Sequence, residues 1–169
     1  GYVVLKNVVS AEKCEEIKND FLEYMEKLEP DFKKDDKSTW TNDVLPFRTR
    51  GLLQHFKVGT QPHAVKARDA VKHVFETIWE TDKLLTSFDG TSFAMKPKVC
   101  KMKNLQDWIE KTERVDPIHI DQTTEGFSSV QGGLAVVNQS ENCKVFLVVP
   151  KSHLYHHRLM RIAQKEQLV

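Results

Sequence analysis

No apolar run in these 169 residues approaches the roughly 20 consecutive positions that a membrane-spanning helix needs. The first residues also lack the charged, then apolar, then small-residue order of a secretory signal. Neither sign of charge dominates: 25 Lys and Arg face 24 Asp and Glu, for a formal net charge of +1. That balance excludes nucleic-acid or membrane-surface binding driven by bulk electrostatics. Cysteine is scarce as well. Cys14, Cys100 and Cys143 stand far apart with no C-x-x-C pair, which argues against a cysteine-based zinc site and for a reduced, intracellular, cytoplasmic setting. No internal repeat, low-complexity tract or interdomain linker interrupts the chain, so the expectation is one domain over residues 1–169 with a sizeable core.

What is present reads as helices first and strands later. Gly1-Tyr-Val-Val-Leu-Lys-Asn-Val-Val9 is β-branched and apolar, the composition of a short strand. Ser10 is a helix N-cap, and Glu12 lies in the first turn, where the helix dipole favours a carboxylate. Cys14, Ile17, Phe21, Met25 and Leu28 recur every three or four residues, which predicts a helix over 11–28 that ends before Pro30. Residues 31–61 are polar and irregular, with a charge run at Asp31–Lys37 that reads as solvated loop. Within it Trp40, Phe47, Arg48 and Arg50 serve either a substrate mouth or the anchoring of the loop. Pro62 opens a second helix, to about Glu80, with Val65, Val71, Val74, Phe75, Ile78 and Trp79 as its buried stripe. His55, His63 and His73 are expected at the surface or half-buried.

Asp89-Gly90 predicts a tight turn leading into a strand-like Ser92-Phe-Ala-Met95. Residues 129–137 alternate, with Val130, Gly132, Leu134 and Val136 on one face and Gln131, Gly133, Ala135 and Val137 on the other. A polar loop over 138–143 and a second strand over 144–149 complete an antiparallel hairpin. The sum is an α+β fold, helices backing a sandwich or jelly roll.

The chemistry-bearing candidate is His119-Ile-Asp121. Residues i and i+2 of a strand share a face, so this imidazole and carboxylate can converge on one cation. They are two of the three ligands of a 2-His-1-carboxylate site, the set used by non-haem Fe(II) oxygenases. On its own the H-x-D spacing is a weak signal. His153, His156 and His157 follow the last predicted strand and are the local candidates for a third ligand. Gln131 is either a buried, satisfied glutamine or, if its face looks inward, a hydrogen-bonding group for a cofactor or substrate.

Several blocks together resemble the phytanoyl-CoA dioxygenase-like branch of the Fe(II)/2-oxoglutarate-dependent oxygenases. They are Gly1-Tyr-Val-Val-Leu with the Ser10-capped helix, Val74-Phe-Glu-Thr-Ile-Trp79, Leu84–Gly90, His119-Ile-Asp-Gln122, Val130-Gln-Gly132 and Val148-Val-Pro-Lys-Ser-His153. The resemblance implies a double-stranded β-helix, Fe(II) held by His119 and Asp121, 2-oxoglutarate as co-substrate, and hydroxylation of an unidentified small molecule. Gln131 would then contact the co-substrate or the substrate. The family's Pro-Gly-Ser/Thr-His block reads Pro150-Lys-Ser-His153 here, and its distal histidine and 2-oxoglutarate arginine come later than this sequence reaches. With Gly rather than Met at position 1, the expectation is a fragment lacking its C-terminal strands and inactive alone. Two other functions fit the same residues. One is a non-catalytic jelly-roll relative acting as a binding module. The other is a cupin-like metalloprotein using His119, Asp121 and one of His153–His157.

Overall fold

A computed structural model describes residues 1–40, 52–93, 119–122, 126–139 and 146–166. Its contacts divide the chain into two compact units. Unit 1 comprises Gly1–Lys6, Asp116–Gly133 and Val145–Val169, and unit 2 comprises Asn7–Val115 and Leu134–Lys144.

The described residues of unit 2 include two long helices, α1 (Ala11–Leu28) and α2 (Pro62–Trp79). The start of α1 is the one its sequence encodes: Ser10 is extended and its hydroxyl accepts the Lys13 amide at 3.2 Å. Pro62 occupies the first turn of α2, where a missing N–H is harmless. That helix ends on Glu80 in the left-handed conformation, whose N–H bonds to the Glu76 carbonyl. Lys66 of α2 reaches Glu16 at 2.5 Å and Asp20 at 2.7 Å on α1. These partly exposed pairs set register between the helices more than they stabilise them.

The core of unit 2 gathers Phe21, Leu22 and Met25 of α1 with Phe32, Leu53 and Val58, and packs Tyr24, Leu28, Trp40 and Phe93 around them. The predicted stripe of α1 holds at Ile17, Phe21 and Met25 and gains Leu22, while Cys14 and Leu28 are half-buried. On α2 the prediction fails. Val65 and Ile78 are exposed, Val71, Val74, Phe75 and Trp79 are half-buried, and the buried residues are His63 and Ala64. Only the first turn of α2 is pressed into the aromatic cluster. The loop after α1 is likewise structured inward rather than solvated throughout. Phe32 is fully buried and stacks on Trp40, whose indole N–H donates to the Lys33 carbonyl at 2.8 Å. Trp40 is thus an anchor, whereas Phe47, Arg48 and Arg50 lie outside the described residues.

The sheet is where expectation and structure part. Among the described residues there is one sheet, two antiparallel strands of two residues each, β1 (Leu52–Leu53) and β2 (Thr91–Ser92), paired Leu52 to Ser92 and Leu53 to Thr91. A jelly roll needs eight strands in two sheets. The expected α+β double-stranded β-helix is therefore overturned: the described residues are predominantly helical. Residues 1–9 form no strand, and 129–139 and 146–149 run without ladder pairing, while 140–145 lie outside the described residues. The alternation of 130–137 survives only as burial: Val130, Leu134 and Val136 are half-buried between exposed neighbours. A period of two makes a strand only when a partner accepts its hydrogen bonds.

Nor does Asp89-Gly90 make a tight turn. Gly90 is required for another reason. A Cβ there would sit 2.6 Å from the Leu53 carbonyl oxygen, so only a glycine lets β2 approach β1. Gly90→Ala is expected to lower the stability of unit 2 by about 1–3 kcal/mol, the cost of overpacking against backbone. An unchanged urea midpoint in that variant would refute the close approach.

Among the described residues of unit 1 there is one helix, α3 (His156–Lys165), entered through a 3-10 turn over Ser152–Tyr155. Met160 is its buried residue.

Candidate functional site

Three places carry the chemistry-bearing side chains. The first is in unit 1, around His119 and Asp121. The two lie in extended, unpaired chain rather than on a strand, yet one residue between them still brings the side chains together: His119 Nε2 is 3.1 Å from Asp121 Oδ1. Gln131 Nε2 donates to the other carboxylate oxygen at 2.5 Å. Both oxygens of Asp121 are therefore engaged by side chains of the unit itself, and the pair is more than half exposed to solvent. Beside it, Gln122 donates to the Gly126 carbonyl at 2.6 Å and accepts from the Ser128 hydroxyl at 3.0 Å. Gly126 has a φ of +100°, a conformation that suits glycine. His156 of α3 places Nε2 2.8 Å from the Gln122 carbonyl oxygen.

These contacts decide what the cluster is. His119 Nε2 faces Asp121, and His156 Nε2 faces the Gln122 carbonyl. His153 lies against Gly1, close enough that a Cβ at Gly1 would be 3.5 Å from its ring. Among the described residues no group of three or more His, Cys, Asp or Glu is placed to hold a metal ion. With neither the β-helix nor the ligand cluster, the oxygenase function, the dioxygenase activity and the iron-centred description expected from the sequence are all overturned, as are the jelly-roll and cupin-like alternatives. Gln131 is exposed, not a buried glutamine, and its amide donates to Asp121.

The second place is His63, in the first turn of α2. It was expected at the surface or half-buried and is 2 % exposed. Phe21 packs edge-on against its ring at 5.1 Å, Tyr24 lies at 5.5 Å, and Nε2 is 3.1 Å from the Thr91 hydroxyl. Nδ1 is buried without a hydrogen-bond partner. Burial pushes the imidazole pKa down to about 4, with Arg68 adding to the fall and Asp20 opposing it. His63 is thus a neutral core residue. A signal for it existed in the sequence only as its position one residue after Pro62, on the turn that meets α1.

The third place is apolar. Among the described residues, thirteen of the twenty exposed large hydrophobic side chains lie in unit 1, yet only one of the nine buried ones, Met160, does. A groove of about 450 Å³ runs along α3, walled by Val149 and Pro150 on one side and by Tyr155, Arg158, Leu159 and Ile162 on the other. A second hollow, of about 410 Å³, lies in unit 2 between Ala11, Cys14, Glu15 and residues 135–138. No helix among the described residues is long and apolar enough to cross a membrane.

No family model matches the chain, and no solved structure matches it. It is similar to the Ava biosynthesis cluster protein O of Aspergillus versicolor, 35% identical over 92 residues that make up 53% of this chain and 30% of that protein. The match thus spans less than a third of that relative's length.

Proposed function

We propose that this chain is a polypeptide-docking segment of a biosynthesis-cluster protein, binding rather than catalytic. The observation that carries the reading is the distribution of apolar surface. Among its described residues unit 1 buries a single large hydrophobic side chain and exposes thirteen, Tyr2–Leu5, Phe146, Leu147, Leu154 and Leu159 among them. Exposed apolar side chains that share one hollow, as Tyr155, Leu159 and Ile162 do with Val149 and Pro150, mark interaction surfaces. Most of the relative from Aspergillus versicolor lies outside the matched 30%, so in a protein of that kind there is polypeptide to cover it. The His119–Asp121–Gln131 cluster then fixes the local chain beside the docking surface rather than holding a reactant. The likeness to phytanoyl-CoA dioxygenase-like proteins enters this reading as shared ancestry alone, without their activity. Reduced, cytoplasmic surroundings suit it, with Cys14 a free thiol.

Amide hydrogen exchange over 146–162 tests the proposal. Residues 1–169 alone should exchange there within seconds to minutes, and the full product of the gene should protect the same amides by about tenfold or more. Equal exchange in the two would overturn it.

A further inference from the structure

We infer that the groove along α3 receives an acidic amphipathic helix, an inference that rests on the docking role proposed for unit 1 and names the chemistry of the partner. Arg158, Leu159 and Ile162 lie on one face of the helix, and Tyr155, at its N-cap, lines the same hollow. Val149 and Pro150 raise a second wall beside that face. The hollow between them is concave and apolar, a shape that takes the ridge of side chains along a partner helix. A flat bilayer surface would leave its floor unfilled, which is why a polypeptide is favoured over lipid.

Charge selects which helix. Arg158, Arg161 and Lys165 stand on adjacent exposed positions alongside Leu159 and Ile162. Between residues 146 and 166 the sole acidic side chain is Glu166, against four Lys and Arg. Arg158, Arg161 and Lys165 make no ion pair among the described residues. Five lysines of unit 2, Lys13, Lys18, Lys34, Lys66 and Lys72, by contrast each hold a carboxylate of their own chain. Uncompensated cations flanking an apolar groove are complementary to a helix with an apolar stripe and an acidic flank, and penalise a basic one.

The test uses residues 1–169 and two labelled helical peptides of about 18 residues. Both carry the same leucine stripe; one has glutamates on its flanks and the other lysines. Fluorescence anisotropy should show the glutamate peptide binding about tenfold or more tighter at low salt, an advantage that shrinks as ionic strength rises. Arg158→Glu with Arg161→Glu should invert the preference, and Leu159→Ser with Ile162→Ser should abolish binding of both peptides. These positions are exposed, so the variants keep their far-UV circular dichroism. Equal affinity for the two peptides overturns the acidic partner and leaves the docking role standing. Binding of neither also overturns it, and the hydrogen-exchange comparison then decides the docking role by itself. Preference for phosphatidylserine-containing vesicles over the glutamate peptide overturns it in favour of a lipid surface.

Discussion

Phe32→Ala is expected to remove about 3–5 kcal/mol of stability from unit 2, the largest effect of any single substitution considered for this chain. The ring is fully buried in the core cluster. Trp40 stacks on it with centroids 5.3 Å apart, and Phe93 meets it edge-on at 6.3 Å. Deleting the ring forfeits its transfer free energy and opens a void between two other aromatics that are held in place. Trp40 is tied to the Lys33 carbonyl and cannot collapse freely into the space. A domain's whole stability is on the order of 5–15 kcal/mol, so the variant should be substantially unfolded at moderate urea. Leu85 is fully exposed, and Leu85→Ala should move the urea midpoint by no more than about 0.5 kcal/mol equivalent. The two curves should share one slope. If Phe32→Ala and Leu85→Ala melted alike, the aromatic cluster would not be the core of this unit.

That such a residue sits in a stretch that reads as polar loop shows where sequence reasoning reaches and where it stops. Both long helices are legible because their signals are local. Ser10, Glu12 and the stripe through Met25 fix α1, and Pro62 fixes the start of α2. Phe32 is one apolar residue among six charged ones in Asp31–Lys37, so no periodicity announces it, and only contacts with distant Trp40 and Phe93 bury it. The burial of His63 depends in the same way on Thr91, 28 residues away. The jelly-roll expectation rests on alternation over 129–137 and on motif order, but alternation specifies a face and not a partner strand. At the His119 site the i, i+2 spacing was enough to bring imidazole and carboxylate together. It could not reveal that Gln131 would take the second carboxylate oxygen, because that contact spans ten residues of irregular chain. The groove along α3 was missed for a simpler reason. Leu154–Val169 reads as loop and helix start, and the surface of the helix becomes a groove only when Val149 and Pro150 stand beside it.

Acidification should destabilise unit 2 between pH 6.5 and 4, and His63 should be the cause. Its folded pKa is lowered to about 4, whereas the imidazole of an unfolded chain titrates near 6.5. Between those values the unfolded state binds the proton and the folded state does not, so stability rises with pH across the window and is lost as pH falls through it. Above about pH 6.5 the contribution is complete, and by pH 4 it amounts to a loss on the order of 3 kcal/mol. The physical penalty is clear from the surroundings. A charged ring would lie between Phe21 and Tyr24 with its Nδ1 proton unpartnered, near the Arg68 guanidinium, with only Asp20 to favour it. Glu16 does not confuse the window. Lys13 and Lys66 hold its carboxyl down from the ordinary 4.5 to about 2, so whatever it contributes is lost between those values and touches only the acid end of the window. The measurement is the urea midpoint of unit 2 from pH 7.5 to 4, followed by tryptophan fluorescence because Trp40 packs against this core. The wild-type midpoint should fall steadily below pH 6.5. His63→Gln keeps a neutral hydrogen-bonding side chain near Thr91 and should be less stable at pH 7.5 but flat from 6.5 to 4. A wild-type profile with no slope in that interval, or the same slope in His63→Gln, would show that the buried imidazole does not set the acid limit of this fold.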